Sequence, residues 1–268
     1  MVSDKPIGVF DSGVGGLTVL RKLVEALPGE NYLYFGDTAR VPYGEKTKEQ
    51  LIQFVTEILN WYKYKDAKAV LMACNTSSAV VLDFVKDKYD FPIYGLIEPT
   101  AKHVAGLSEK NIGVIATSAT IKSKAYSTNI LKLNTDKNVF EIGCPGLVEI
   151  VESGSLDLPE SKELVSKYVT QLLENNVEKI ILGCTHYPFL TELINQVTNR
   201  PDMLIDPADY LVKAVEIELE KLGILSNSHC GSRKYFVSAN AAKFAQVGHK
   251  FYSDCTEVEE INLDLLKI

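Results

Sequence analysis

The chain has 268 residues, of which 46% are hydrophobic and 24% charged, and its formal net charge is −7. This length can bury a substantial core in one large or two modest domains, and the composition excludes a fibre or a disordered chain. The negative charge argues against a general affinity for nucleic acid or for an anionic membrane. Because the chain has only four arginines, an acidic ligand would also need backbone N–H groups and hydroxyls to hold it.

The beginning of the chain, MVSDKPIGVF, lacks the long apolar stretch of a signal peptide. No apolar run approaches the roughly 20 residues that a membrane-spanning helix needs. We therefore expect a cytoplasmic protein, in which the five cysteines stay reduced as thiols.

Short apolar segments alternate with longer stretches of helical periodicity. In chain order, strands are predicted at residues 7–10, 32–35, 69–73, 93–96, 112–116, 139–142 and 179–182. One apolar helix face is marked by Leu51, Val55, Ile58 and Tyr62, and another by Leu164, Tyr168, Leu172 and Leu173. This alternation predicts an α/β fold with doubly wound parallel sheets, in which ligands bind at the carboxyl ends of the strands.

The sequence also contains a faint internal repeat. IGVF at 7–10 returns as IGVI at 112–115, and AVLMACNT at 69–76 returns as KIILGCTH at 179–186, with offsets of 105 and 110 residues. Coincidence is the alternative, because Ile-Gly-Val often begins an α/β domain. Two ordered matches at nearly equal offset favour a duplication, and hence two related domains.

Two acid–proline pairs, Glu98-Pro99 and Asp206-Pro207, are candidate crossing points between these domains, because proline restricts its predecessor and often ends a helix or strand. We predict one domain from residues 1–97 with 208–268, and a second from 98–207. The ends of two equivalent strands would then meet across a cleft, which would place Cys74 opposite Cys184.

A lone cysteine in an α/β protein is usually a small buried hydrophobe. Cys74 and Cys184, however, end equivalent strands, and each is followed by hydroxyl or amide residues, which favours a chemical pair. The N–H groups of a following helix are expected to lower a thiol pKa from its usual value of about 8.5 and to favour the thiolate. Neither cysteine belongs to a Cys-x-x-Cys motif, so zinc and dithiol chemistry are disfavoured.

The segment DSGVGGLT at 11–18 follows the first strand and leads into a helix. Its glycines allow tight turning and a close approach of ligand to backbone, and helix N–H groups favour an anion. A dinucleotide fingerprint would require glycine where Thr18 stands, and the Lys-Ser/Thr of a P-loop is absent, so a small carboxylate is the better ligand. Asp11 is either a helix cap or a functional group.

The surroundings of five further residues carry a prediction. His186, two residues after Cys184, is either structural or assists proton movement at that thiol. Glu152 has the pattern of a solvated surface carboxylate. Pro42, Tyr43 and Gly44 predict a turn able to cover a ligand.

Four segments together resemble the glutamate racemases of the aspartate/glutamate racemase superfamily: IGVFDSGVGGLT at 7–18, DTARVPYG at 37–44, CNT at 74–76 and GCTHYP at 183–188. They occur in the expected order over most of the chain. The resemblance implies two related α/β domains that bind glutamate between them without pyridoxal phosphate, metal or any other cofactor. The resemblance also implies a bacterial protein that supplies D-glutamate for peptidoglycan. A homodimer is compatible with the resemblance.

By position, the resemblance implies that Cys74 and Cys184 are the acid/base pair, that Asp11 supports Cys74, and that Glu152 and His186 support Cys184. The residues it implies for substrate binding are Asp11, Ser12, Pro42, Tyr43, Gly44, Asn75, Thr76, Thr117, Thr120, Thr185 and His186. Thr117 and Thr120 also lie where the internal repeat places the counterpart of the 11–18 loop.

Three alternatives remain at this point. The chain could be another member of the superfamily, such as an aspartate racemase or a maleate isomerase-like enzyme. It could be a two-domain protein that only captures an anion, although the paired cysteines disfavour this. A cysteine hydrolase is weaker still, because the repeat supplies two thiols rather than one nucleophile with a separate histidine base.

Overall fold

The computed structural model describes residues 2–266, which form ten strands and twelve α-helices. The strands are β1 (Ile7–Asp11), β2 (Tyr32–Gly36), β3 (Ala69–Met72), β4 (Ile93–Gly95), β5 (Asn111–Ala116), β6 (Asn138–Gly143), β7 (Lys179–Gly183), β8 (Leu204–Ile205), β9 (Arg233–Val237) and β10 (Val258–Glu260). The helices are α1 (Leu17–Ala26), α2 (Lys48–Tyr64), α3 (Asn75–Val80), α4 (Leu82–Val85), α5 (Ile97–Ala105), α6 (Ser118–Ser123), α7 (Ala125–Leu133), α8 (Leu147–Ser153), α9 (Pro159–Leu173), α10 (Thr191–Thr198), α11 (Pro207–Lys221) and α12 (Ala241–Phe251).

The strands form two parallel sheets. The first sheet has the order β10-β9-β2-β1-β3-β4, and the second has the order β6-β5-β7-β8. The predicted α/β fold with two parallel sheets is therefore confirmed. The order β2-β1-β3-β4 returns as β6-β5-β7-β8, which supports the duplication inferred from the repeated motifs.

The sheets also bear on the domain assignment. All strands of the first sheet come from residues 1–97 and 208–268, and all strands of the second come from 98–207. Each acid–proline pair begins a helix: Pro99 lies in the first turn of α5, and Asp206 caps α11, its side chain accepting a hydrogen bond from the Ala208 amide at 3.0 Å. The domain boundaries themselves stay a prediction.

All seven strands predicted from the sequence are present, and their ends lie within one residue of the predicted ends. The strands β8, β9 and β10 were not predicted. β8 has only two residues, and β10 is a short edge strand whose side chains are half-buried or exposed. Neither contains the continuous apolar run by which a buried strand is recognised.

The predicted face of α2 is confirmed, because all four of its apolar residues are buried. For α9 the prediction was partly wrong. Of the four predicted residues only Leu172 is buried, and the buried row consists of Ser161, Val165, Val169 and Leu172. Leu164, Tyr168 and Leu173 are half-buried beside this row and pack against the edge of the same apolar cluster.

Alternate side chains of β1 pack on opposite faces of the first sheet. Ile7 and Val9 belong to an apolar cluster that continues into the second sheet at Leu182, whereas Phe10 packs in a separate cluster beneath α2. One continuous core therefore joins the two sheets. It fixes the carboxyl ends of their central strands around a common cavity.

Candidate active site

A cavity of about 230 Å³ lies where the ends of β1, β3, β5 and β7 meet. This volume is below the ~300–1,000 Å³ of sites for drug-sized ligands, and so it suits a small molecule. The predicted site residues that line it are Asp11, Ser12, Pro42, Tyr43, Gly44, Cys74, Asn75, Thr76, Thr117, Glu152, Cys184, Thr185 and His186. Gly13, Val41, Val148 and Glu149 also line it, although the sequence singled out none of them individually.

Cys74 is the N-cap of α3 and is buried in the cavity wall. Burial raises the pKa of its thiol to about 12, and the nearby charge of Asp11 acts in the same direction. The backbone amide and the hydroxyl of Ser77 lower the pKa, but by less. The expectation that helix N–H groups would favour a thiolate is therefore wrong for Cys74, because burial outweighs them and the group is a thiol at neutral pH.

Asp11 is the last residue of β1, and its two carboxylate oxygens differ in their hydrogen-bond partners. Oδ2 accepts hydrogen bonds from the amides of Gly13, at 3.1 Å, and Gly16, at 3.0 Å, so the carboxylate does cap the glycine loop. Within residues 2–266, Oδ1 is buried without a hydrogen-bond partner. Burial raises the pKa of Asp11, while His186 and the loop amides oppose the rise. The structural role of this residue is thus compatible with an electrostatic effect on Cys74.

Cys184 directly follows β7 and begins a chain of three polar groups. Its Sγ lies 3.7 Å from Nδ1 of His186, and Nε2 of His186 lies 3.0 Å from Oε1 of Glu152. Burial lowers the pKa of His186, but its hydrogen bonds with Cys184 and Glu152 outweigh this effect and raise the pKa to about 10. The hydrogen bond to His186 also lowers the pKa of Glu152, which partial burial opposes.

The two cysteines consequently have opposite electrostatic neighbours. Cys74 lies near the carboxylate of Asp11, which disfavours a negative sulfur, whereas Cys184 lies beside a protonated imidazole, which attracts one. The two sulfur atoms therefore face the same cavity beside groups of different charge, a carboxylate at Cys74 and an imidazole paired with Glu152 at Cys184.

Three threonine hydroxyls form a triangle across the two sheets. Thr76 Oγ1 lies 3.0 Å from that of Thr117 and 3.4 Å from that of Thr120, and the last two are 3.0 Å apart. Thr76 and Thr117 line the cavity, but Thr120 lies behind them and is buried. Thr120 does not line the cavity in this structure but lies within hydrogen-bond distance of two threonines that do, and its contact with the substrate stays a prediction.

The turn at residues 42–44 is held from behind by a buried aspartate. The Tyr43 hydroxyl and Arg40 Nε, the latter at 2.6 Å, both donate to Oδ2 of Asp37, and Ser238 Oγ donates to Oδ1 at 2.8 Å. The Val41–Pro42 peptide bond is cis. Sequence reasoning assigned no role to Asp37 or Arg40. The signal that could have found them is an acid and a base three residues apart in a segment that also contains a predicted ligand-covering turn.

In the part of the chain that the structure describes, no group of three or more histidine, cysteine or acidic side chains is arranged to hold a metal ion. Over the same residues, no helix combines the length and the apolar character needed to cross a membrane. All five cysteines are free, and burial raises the pKa of Cys144 and of Cys255 to about 12.

Comparison with known proteins adds to this geometry. The model of the Asp/Glu/Hydantoin racemase family matches residues 7–215. The glutamate racemase of Gloeothece citriformis is 43% identical over 96% of this chain and 92% of its own length. The crystal structure of a glutamate racemase from Bacillus anthracis superposes with a TM-score of 0.93 at 31% identity, covering 97% of this chain and 98% of that one.

A second solved structure, the glutamate racemase of Francisella tularensis in complex with D-glutamate, has a TM-score of 0.91 at 33% identity, with coverage of 98% and 99%. Sequence similarity and fold similarity therefore extend over nearly the whole chain. The chain belongs to the Asp/Glu/Hydantoin racemase family of isomerases.

Proposed function

We propose that the chain interconverts L-glutamate and D-glutamate by moving the α-proton between Cys74 and Cys184. The observation that carries this proposal is that two thiols, one from each sheet, line a single small cavity with oppositely charged neighbours. The substrate is proposed from similarity: the relative from Francisella tularensis is described in complex with D-glutamate.

Racemisation removes a proton from one face of Cα and returns a proton to the other face. In the proposed reaction, Cys184 begins as the thiolate beside the His186 imidazolium and takes the α-proton. The thiol of Cys74 then gives its proton to the opposite face, which leaves Cys74 as thiolate and Cys184 as thiol. The reverse sequence converts the other enantiomer, and no proton is gained or lost overall. Such positioned proton transfer contributes typically ~10²–10⁴-fold to the rate.

The supporting residues have separate roles in this scheme. Glu152 keeps His186 protonated and oriented, so that the imidazolium stabilises negative charge on Cys184. Asp11 disfavours the thiolate of Cys74, which makes that thiolate a strong base when it does form. The proposed starting states of the two cysteines, thiol at Cys74 and thiolate at Cys184, thus depend on the charged groups beside them.

Proton transfer alone does not overcome the weak acidity of an amino-acid C–H bond. Donors directed at the α-carboxylate must also stabilise the charge that develops there, and such electrostatic terms are usually the largest. The wall offers hydroxyl donors at Ser12, Thr76 and Thr185. A closed, dry cavity would strengthen each of these interactions.

The test is incubation of the purified protein with L-glutamate or D-glutamate in D₂O, followed by chiral separation and mass measurement. We expect each product molecule to carry one α-deuterium. C74A and C184A should each abolish full turnover, whereas C230A, which replaces an exposed cysteine outside the cavity, should not. Product formed without solvent deuterium would refute the scheme, and loss of turnover in only one cavity variant would indicate a one-base mechanism.

Aspartate assayed beside glutamate would separate the proposed substrate from the nearest alternative within the superfamily. Saturable glutamate binding without α-proton exchange would instead indicate a protein that only captures the anion. We further propose that the D-glutamate serves peptidoglycan synthesis, which growth of a D-glutamate-requiring bacterium on expression of this chain would test. A homodimer stays a prediction, to be checked by light scattering.

A further inference from the structure

One buried side chain contacts the neighbours of both cysteines. Tyr126, the second residue of α7, donates a hydrogen bond from its hydroxyl to Oδ1 of Asn75 at 2.6 Å, and Asn75 directly follows Cys74. The ring of Tyr126 lies against Gly183, which directly precedes Cys184; a Cβ at Gly183 would be 3.2 Å from Cε2 of the tyrosine. The side chain thus spans the two cysteine-bearing turns.

The hydrogen bond from Tyr126 fixes which end of the Asn75 amide faces which way. Because Oδ1 accepts the phenol proton, Nδ2 is left as a two-proton donor. Asn75 lines the cavity, and its Nδ2 has no protein hydrogen bond within residues 2–266. Burial holds the pKa of Tyr126 well above its ordinary value, so the hydroxyl remains a donor throughout the working pH range. Without the Tyr126 hydroxyl, the side-chain amide of Asn75 would be free to rotate.

The other sheet carries a counterpart of this contact. Thr18 is the second residue of α1, and its Oγ1 donates to the carbonyl of Gly15 at 2.9 Å and to that of Thr185 at 3.2 Å. α1 follows β1 as α7, after the short α6, follows β5, and these two strands occupy equivalent places in the repeated strand order. Each half therefore sends one hydroxyl to the turn behind the cysteine of the other half.

We propose that Tyr126 is a positioning residue: by holding Oδ1 of Asn75, it directs the amide NH₂ of Asn75 toward the carboxylate of the substrate. This inference rests on the proposed function. A donor that binds the substrate carboxylate equally in the ground state and in the transition state changes KM and leaves kcat unaltered. The expected effect of losing the Tyr126 hydroxyl is therefore on KM, for both enantiomers.

The test compares Y126F with the matched control Y32F. Tyr32 is also a buried tyrosine, but its hydroxyl donates to the carbonyls of Leu23 and Leu27, away from the cavity. We expect Y126F to raise KM for L- and D-glutamate roughly 2- to 12-fold at nearly constant kcat, which is the factor that one neutral hydrogen bond contributes. We expect Y32F to lower the denaturation midpoint without changing KM.

A double-mutant cycle with N75A tests whether Tyr126 acts through Asn75. In the N75A background, Y126F should raise KM no further. A wild-type KM in Y126F, or the same rise with and without Asn75, would overturn the proposal.

Should Y126F not fold, N75D gives an independent test, because aspartate still accepts the phenol proton but has no NH₂ to donate. A wild-type KM in N75D would overturn the proposal as well. A wild-type protein that does not racemise glutamate would instead overturn the proposed function, so the two failures are distinct.

Discussion

The glycine loop after β1 approaches the Cys184 turn so closely that a single methyl group should disable the site. A Cβ on Gly15 would lie 2.5 Å from Nδ1 and 2.6 Å from Cε1 of His186, and closer still to the hydroxyl of Thr185. Carbon atoms at optimal contact are ~3.5–4.0 Å apart, so in G15A the imidazole must move by about 1 Å. This movement alters the contact between Nδ1 of His186 and Sγ of Cys184, which lie 3.7 Å apart.

The size of the effect of G15A follows from this displacement. Inserting a methyl group into a packed interior costs about 1–3 kcal/mol of unfolding free energy. A misplacement of about 1 Å at a reacting group costs about 10²-fold in rate. We therefore expect a folded but less stable protein whose kcat is about 100-fold lower, because the imidazolium no longer lies beside the sulfur it stabilises.

The assay for G15A is the loss of circular dichroism as L-glutamate becomes the racemate, at saturating substrate, with urea unfolding measured in parallel. G106A is the matched control, because the nearest atom to a Cβ there is the His103 carbonyl oxygen at 3.4 Å, an ordinary contact, and Gly106 has a right-handed helical conformation. A folded G15A with wild-type kcat would refute the assigned role of the Cys184–His186 contact.

Three further predictions concern the polar groups around the cavity. E152Q removes the carboxylate that helps to raise the pKa of His186 to about 10, so the high-pH limb of the rate profile should shift to lower pH; an unmoved limb would contradict this role. Since the folded pKa of His186 exceeds its unfolded value of ~6.5, the native state binds more protons between these values. This contribution to stability is complete below pH ~6.5 and should be lost as the pH rises to about 10, and equal pH dependence of urea unfolding in H186N would count against it. Y43F removes a donor to the buried Asp37 carboxylate and should cost about 1.5–3 kcal/mol of unfolding free energy, so wild-type stability would argue against that bond.

Much of the scaffold was predictable because it depends on residues that are neighbours along the chain. Four of the seven predicted strands, β1, β3, β5 and β7, are apolar runs that are almost fully buried, and the face of α2 repeats with the helical period. The placement of Cys74 and Cys184 at one cavity also followed from the sequence, because a repeated strand end implies an equivalent position in a repeated fold. The unpredicted edge strands β8 and β10 have no comparable local signal, since both are short. β9 lies inside the first sheet, and only its last three residues, Tyr235, Phe236 and Val237, are apolar and buried.

The chemistry within the cavity was less accessible to sequence reasoning. The local pattern predicted a lowered thiol pKa at Cys74, but burial by distant parts of the chain raises it. Glu152, which by itself had the pattern of a surface carboxylate, pairs with His186, 34 residues away. Asp11 caps the glycine loop through Oδ2, and its functional role stays a prediction.

The sequence by itself determined seven of the ten strands that residues 2–266 form, the repeated motifs and the places of Cys74 and Cys184 at equivalent strand ends, since periodicity and motif order are properties of the chain. Only the tertiary structure showed that burial raises the pKa of Cys74 and that Tyr126 contacts the turns of both cysteines. The physical reason is that pKa values and hydrogen bonds depend on burial and on groups that folding brings within a few ångströms of each other. Asn75 and Tyr126, for example, are far apart along the chain but share a hydrogen bond.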